Sequence, residues 1–357
     1  MSGPAVEGLP ETMAAAVYQS PGVITVEDRP VPPPGPDQLV VRVLNCGICG
    51  SDIHQLRDGW GFKPGAVAGH EWSGEVAAMG ADVSGWSIGE LVVGGSSPKC
   101  GSCRRCREGK PSQCENRGSA ITDHFDGAFA EYILVRAAGV LRLPPTLSPR
   151  HAALAEPLAV ALHGITRSGV APGDRVMVIG AGPIGALSLA ALKAKGIDDV
   201  VVVEPHQGRQ QLAKDLGAAE VIDPSQLETF PAWEPEKLST RAVHVVLECS
   251  GHKAAIEAGF NQLGRGGILV MVGAGIEHPT FDPNRMILNE LTVTGSFVYD
   301  LHGFESALEL LASDGFPNDL LIDPTAITLN EIGDTLNALA SGHIAGKVMV
   351  APGASGP

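Results

Sequence analysis

Two textures follow one another along the chain. From residue 14 to about residue 142, apolar positions come in short runs such as Leu39-Val-Val-Arg-Val-Leu44 and Glu90-Leu-Val-Val93, broken by glycine and proline. Such runs predict a β-rich region. Residues 30–36 hold five prolines and one glycine, which fixes backbone angles and removes donors, so the segment reads as a stiff connector. At Ser148-Pro149 a capping hydroxyl precedes a proline at the first helical position, and the alanine and leucine pattern carries a helix to Thr166, ahead of Gly169 and Pro172. Beyond it strands are expected at 175–179, 200–204, 242–247, 267–272, 291–294 and 347–350, and helices at 183–195, 207–216, 254–262, 303–312 and 331–339. Strands alternating with helices build a parallel sheet, so the second half reads as α/β.

At 357 residues the chain exceeds one ordinary core, and two domains are expected. Forty acidic against twenty-five basic residues leave a net charge of -15. That charge repels phosphate backbones and anionic lipid, so neither nucleic acid nor a membrane is an expected partner. Residues 1–12 carry no basic region followed by an apolar core, and a cytoplasmic location is expected. The uncharged stretch 176–192 contains Gly180, Gly182, Pro183 and Gly185. It divides into strand, turn and helix rather than a membrane span.

Four of the seven cysteines crowd together as Cys100, Cys103, Cys106 and Cys114. Four thiols in one tight loop suit tetrahedral zinc, whereas disulfides between thiols three residues apart bridge poorly. Such a site is closed, and its role is structural.

The turn Gly180-Ala181-Gly182-Pro183-Ile184-Gly185 follows an expected strand and opens an expected helix. Its glycines permit a tight turn and close approach of the backbone to a pyrophosphate. Glu204 ends the next strand, where a carboxylate accepts hydrogen bonds from ribose hydroxyls and repels a 2′-phosphate, so NAD is expected over NADP. Arg209 is the counterweight: it either accommodates a phosphate, covers the adenine, or is a solvated surface charge.

Further metal-type residues are scattered: Cys49 in Gly47-Ile-Cys-Gly-Ser-Asp-Ile-His54, His70 and Glu71 after Gly69, and Glu156 before Pro157. A catalytic zinc takes three protein ligands of mixed type and keeps one position open. Taken singly, each residue also fits a plain role, as a buried thiol, a core histidine or a helix-flank carboxylate.

Together the Gly-Ile-Cys-Gly-Ser-Asp and Gly-His-Glu segments, the cysteine lobe, the Glu-Pro-Leu-Ala-Val-Ala-Leu-His run at 156–163 and the Gly180 turn resemble the zinc-dependent medium-chain alcohol dehydrogenases. Within them the Glu156 run is similar to the sorbitol, polyol and butanediol dehydrogenases rather than the liver-type enzymes, which place a cysteine there. The resemblance implies a GroES-like β-rich catalytic domain over 1–158, with the structural zinc lobe at about 98–116. It also implies a Rossmann NAD-binding domain over 159–298 and a C-terminal return over 299–357 that completes the catalytic domain. It further implies a catalytic zinc on Cys49 and His70, with Glu71 completing the shell or alternating with water. Glu156 would bind zinc directly or hold its water. Ser51 and His54 would pass the alcohol proton through the cofactor ribose towards solvent. The substrate would be a small alcohol or polyol, and the assembly a homodimer or homotetramer.

Two other readings stay open at this point: a non-catalytic zinc and nucleotide binding protein, and a zinc-free enzyme of the quinone reductase type. Cys46 is read as outside the metal site despite its spacing from Cys49, and Cys249 as a buried thiol beside the cofactor. Trp60, Phe62, Ile121 and Phe297 are candidates for the substrate pocket. His151, His163, His206 and His302 have no partner visible in the sequence.

Overall fold

Valine-rich runs build two sheets of unlike kind. The computed structural model describes residues 8–59, 61–95, 100–116 and 127–354. Strands β1 (Thr12–Ser20) and β2 (Val23–Pro30) pair as an antiparallel hairpin. An antiparallel sheet follows from β3 (Gln38–Gly47), β4 (Glu71–Met79), β5 (Leu91–Gly95), β6 (Tyr132–Arg136) and β7 (Val140–Arg142). The second half is parallel throughout. Its strands β8 (Val176–Ile179), β9 (Val200–Val203), β10 (Glu220–Ile222), β11 (Val243–Glu248), β12 (Leu263–Met271) and β13 (Thr292–Gly295) lie in the order β10-β9-β8-β11-β12-β13. Finally β14 (Met349–Val350) returns to the first sheet, which then reads β14-β3-β4-β5-β7 with β6 also on β3.

The parallel strands are buried on both faces, which is why Val176–Ile179 and Val200–Val203 read as unbroken apolar runs. Alternate residues go to opposite cores. Val176, Val178, Val200 and Val202 meet the helices Ala155–Ser168 and Pro183–Ala194, while Met177, Ile179, Val201 and Val203 meet Ile256 and Phe260 of the helix Lys253–Gln262. A separate core fills the antiparallel half, where Leu336 and Leu339 of the helix Ile332–Ala340 pack beside Val41, Val76 and Phe129. Strand order reverses between β8 and β11. In such sheets the ligand crevice lies beyond the carboxyl ends of the strands at the reversal, here Ile179 and Glu248.

One expectation needs correction. The helix from Ser148 to Thr166 is two helices, Pro149–Ala152, capped by Ser148 Oγ accepting from His151 N–H, and Ala155–Ser168, closed by the left-handed Gly169. Pro157 is the reason. Its ring would clash with the carbonyl of residue 153 in a continuous helix, and it has no N–H to donate. The chain therefore turns at 153–154 and restarts so that Pro157 falls in a first turn, which carries Glu156 inward.

Candidate active site

The site is assembled by short segments around the end of β3. Cys49 is the N-cap of the helix Gly50–Asp52, which continues as a π-helical turn, Ile53–Arg57. Asp52 is buried and folds back, its Oδ2 accepting from the Cys49 N–H at 2.8 Å. Its Oδ1 has no hydrogen-bond partner and stands 3.8 Å from His70 Nδ1. Gly69 turns the chain into His70 with φ +96°, and a Cβ there would lie 2.8 Å from the Phe129 nitrogen, so glycine is required. Glu71 opens β4 in register with Gly47 of β3 and Gly95 of β5. A Cβ on Gly47 would come within 2.2 Å of Glu71 Oε2, and one on Gly95 within 2.7 Å of Glu156 Cγ. Two missing side chains thus make the room for two buried carboxylates.

Cys49, His70 and Glu71 bring a sulfur, a ring nitrogen and a carboxylate oxygen within 4.8 Å of one another. Glu71 Oε1 accepts from Lys347 Nζ at 2.7 Å, and Lys347 also donates to the Ile48 carbonyl at 3.0 Å. The other oxygen, Oε2, is buried without a partner. An unpartnered carboxylate oxygen beside a thiol and an imidazole, in a pocket shaped by glycine, fits a zinc ion with an open fourth position. Glu156 stands outside this triplet. Burial raises its carboxyl to about 7, with His70 acting in the opposite sense. At His70 burial disfavours the charged ring, but the adjacent Cys49 and then Asp52 and Glu156 raise its pKa well above the usual value. Cys46 is buried and takes no part: burial first, then the charges of Asp52 and Glu71, push its thiol well up, and its Sγ lies 3.7 Å from the Gly47 carbonyl.

Ser51 and His54 are three positions apart on one helical face. His54 Nδ1 lies 3.2 Å from Asp58 Oδ2 with 28% of its side chain exposed, so this end of the pair reaches solvent.

The sulfurs of Cys100, Cys103, Cys106 and Cys114 also gather within 4.8 Å, all as free thiols. Backbone N–H groups of Cys103, Cys106, Cys100 and Glu115 point at Cys100, Cys103, Cys114 and Cys103 sulfurs at 3.3–3.5 Å. Donors aimed at sulfur favour thiolate, and backbone bonds from Ser102 and Cys103 lower Cys100 to about 5. Four sulfurs held in this way suit a closed tetrahedral zinc.

At the strand reversal, Gly180 has φ +87°, and its missing Cβ leaves space against Ser250. A Cβ on Gly185 would lie 1.8 Å from the Gly180 oxygen, so the helix Pro183–Ala194 packs there only as glycine allows. Gly182 is its N-cap and Pro183 its first residue, with Ile184 next; the free N–H groups of such a helix end form an anion cradle. Glu204 is buried, Oε2 accepting from Ala181 N–H at 2.7 Å and Oε1 from His206 N–H at 3.0 Å, with His206 Nδ1 at 2.8 Å. Arg209 is not a solvated charge: Nε donates to the Ile344 carbonyl at 3.0 Å and Nη2 to that of Leu339 at 3.3 Å. It ties the nucleotide half to the C-terminal return.

Several residues of this site carry no local signal in the sequence. Asp52 and Lys347 brace the metal triplet. Glu248, buried at the end of β11, accepts from the Ser250 and Gly251 N–H groups at 2.8 and 3.1 Å and so shapes the loop facing Gly180. His151 pairs with Asp319 at 2.8 Å and His163 with Asp300 at 3.4 Å. Cys249 is half-buried with Ser188 Oγ at 3.9 Å. Of the pocket candidates, Phe62 packs edge-on to Tyr18, Phe297 is exposed, and Trp60 and Ile121 lie outside the described residues.

The alcohol dehydrogenase GroES-like domain matches residues 35–145, and the zinc-binding dehydrogenase domain matches residues 183–313. The sorbitol dehydrogenase of Bacillus subtilis (strain 168) is 33% identical over 312 residues, 85% of this chain and 87% of that protein. The structure of 2R,3R-butanediol dehydrogenase from Bacillus subtilis superposes with a TM-score of 0.82 at 30% identity, covering 95% of this chain and 99% of that one. A protein assigned as a zinc-binding dehydrogenase from Sinorhizobium meliloti 1021, solved bound to NADP, gives a TM-score of 0.84 at 32% identity over 96% of this chain and 100% of that one. The two domain models in this order and the identity to relatives along most of the chain agree, and the protein belongs to the zinc-dependent medium-chain alcohol dehydrogenase family, in its polyol dehydrogenase branch.

Proposed function

We propose that the protein oxidises a secondary alcohol, diol or polyol to the ketone or aldehyde, with NAD as the hydride acceptor. The observation that carries this reading is the triplet of Cys49, His70 and the buried Glu71, with its unpartnered carboxylate oxygen. Bound there, zinc supplies a Lewis acid that makes a neighbouring alcohol hydroxyl far more acidic. Cys49 and His70 hold the ion, while Glu71, kept in place by Lys347, and Glu156 complete its surroundings. Asp52 fixes the Cys49 backbone and lies beside the His70 ring. Ser51 takes the substrate proton and His54 delivers it to solvent, a role suited to an imidazole, whose two ring nitrogens can accept and donate a proton. Glu204 receives the ribose hydroxyls and sets the choice of NAD over NADP.

The division into a catalytic domain over 1–158, a nucleotide domain over 159–298 and a return over 299–357 belongs to the same reading. So do a cytoplasmic location and a homodimer or homotetramer. Among the described residues the outer edge of β13 is unpaired, and the preceding helix, Pro283–Leu288, exposes Ile287 and Leu288, which supports self-association at that edge.

NADH formation from sorbitol, xylitol, 2,3-butanediol and simple secondary alcohols, combined with metal analysis, tests the proposal. Turnover of one such class with about two zinc ions per chain is expected. Absence of NADH with every alcohol, or fewer than about one zinc per chain, overturns it.

A further inference from the structure

Asp300 lies outside both cysteine-containing sites, yet it touches segments leading to each. Its Oδ1 accepts from Ser112 Oγ at 2.8 Å. Ser112 is buried in the short helical turn Pro111–Gln113, directly before Cys114. The other oxygen, Oδ2, stands 3.4 Å from His163 Nδ1. His163 is buried on the helix Ala155–Ser168, seven residues after Glu156, so the two lie on the same face two turns apart. One carboxylate therefore joins the cysteine lobe to the helix that carries Glu156.

The backbone around Asp300 gives this bridge a purpose. The chain leaves β13 and returns towards the catalytic half through residues 296–302. Val298 sits in that return at φ +46°, a conformation that a β-branched side chain adopts only under constraint. Tyr299 follows, buried and stacked edge-on to Phe304 with ring centroids 5.4 Å apart. Its hydroxyl and Glu156 Cγ crowd the same point: a Cβ on Gly95 would lie 3.0 Å from the one and 2.7 Å from the other. Asp300 is the next residue, hydrogen-bonded to Ser112 Oγ and with its other oxygen 3.4 Å from His163 Nδ1. Val298 at positive φ before it and the contacts of Asp300 after it thus bracket Tyr299, whose hydroxyl lies near Glu156.

We propose that Asp300 is a positioning residue: by bridging Ser112 and His163 it locks the returning loop, and so keeps Tyr299 and Glu156 in register with the metal triplet and couples the cysteine lobe to that register. The proposal rests on the reading of Glu156 as part of the zinc site. Nothing in it requires Asp300 to touch substrate or cofactor.

The holoenzyme with Asp300→Ala, Asp300→Asn, Ser112→Ala and the Ser112→Ala/Asp300→Ala pair provides the test. Losing a hydrogen-bonded carboxylate from a fixed loop lowers kcat about tenfold in Asp300→Ala, with the NADH dissociation constant unchanged. Asp300→Asn, which still accepts from Ser112, recovers most of that loss. The double variant is no slower than Asp300→Ala, because both changes break one bridge. Independently of activity, zinc passes from the lobe to a chromogenic chelator several-fold faster in Asp300→Ala and Ser112→Ala than in the wild type. Unchanged kcat with unchanged zinc release, or effects that add in the double variant, overturns the proposal. Should Asp300→Ala fail to fold, Asp300→Asn and Ser112→Ala carry the same comparison. If the wild type oxidises no alcohol, the functional reading fails on its own, and equal zinc release in wild type and Ser112→Ala then decides against the bridge.

Discussion

Lys347 reaches Glu71 across 276 positions of sequence, its Nζ 2.7 Å from Oε1, and both side chains are sealed from solvent. The ammonium's second bond goes to the Ile48 carbonyl, one residue before Cys49. The C-terminal return thus does more than add β14 to a sheet edge. It delivers a buried positive charge that orients one oxygen of Glu71 and leaves the other buried without a partner, in a residue grouped with the thiol and imidazole.

Breaking such a pair from one side leaves an uncompensated buried charge. Lys347→Met is expected to cost about 3 kcal/mol of stability, read as a lower urea midpoint. Adding Glu71→Gln removes the stranded charge and recovers part of the loss. A Lys347→Met protein as stable as the wild type contradicts the pairing.

Cys49 and Cys106 are both thiols beside candidate ions, yet their loss is expected to differ in kind. Cys49→Ser abolishes turnover while the NADH dissociation constant and the fold, followed by circular dichroism, stay as they were, since it alters an open site. Cys106→Ala opens a closed tetrahedral site whose metal contributes folding free energy, so yield and thermal midpoint fall. Metal analysis completes the comparison. Retained activity in Cys49→Ser removes that thiol from the mechanism.

Gly185 tests the nucleotide cradle apart from the metal. A Cβ would sit 1.8 Å from the Gly180 oxygen, so Gly185→Ala must push the helix Pro183–Ala194 off the turn. NADH affinity should fall at least about tenfold, with zinc content unchanged. Fluorescence titration with NADH gives the answer, and wild-type affinity would mean that the cofactor does not use this turn.

Much of the site is legible in the residues themselves because glycine and proline punctuate it. Gly69 before His70, the glycines around Gly180 and the proline after Glu156 each mark a backbone that must bend at a chemical group. The helix break at Pro157 is the exception, because the surrounding run of alanine and leucine reads as one helix to Thr166. Lys347 is different. In the sequence it opens a short apolar strand and reads as an edge charge; only a tertiary contact spanning most of the chain gives it a partner. Asp52 and Asp300 are hidden for the same reason, since a carboxylate that braces another segment looks like any surface acid until both segments are placed.

Glu228 is expected to contribute to the acid sensitivity of the fold. The Thr240 hydroxyl first, then the Thr240 N–H at 2.8 Å and Ser239 Oγ at 3.1 Å, hold the Glu228 carboxyl below its ordinary pKa of 4.5. A lowered folded pKa contributes stability that is full above 4.5 and is lost as pH falls through the lower folded value. Glu228→Gln should therefore flatten the pH dependence of the urea midpoint below pH 4.5 while changing its slope little above it. Parallel pH profiles in the two proteins would place the acid sensitivity elsewhere.

The proposed preference for NAD is tested at Glu204. Its carboxylate takes up the N–H of Ala181 and both donors of His206, and any 2′-phosphate arriving there meets a buried negative charge. Glu204→Gly removes the repulsion and frees three N–H groups next to a helix N-terminus, a set of donors that suits phosphate. Loss of the ribose hydrogen bonds weakens NAD at the same time. The ratio of kcat/KM for NADP to that for NAD should rise about tenfold or more. Arg209 offers the alternative, because its guanidinium stands 3.9 Å from where a Cβ of Gly182 would be, although its bonds to Leu339 and Ile344 hold it to the C-terminal return. A ratio unchanged in Glu204→Gly but shifted in Arg209→Leu would transfer control of the cofactor from the carboxylate to the guanidinium.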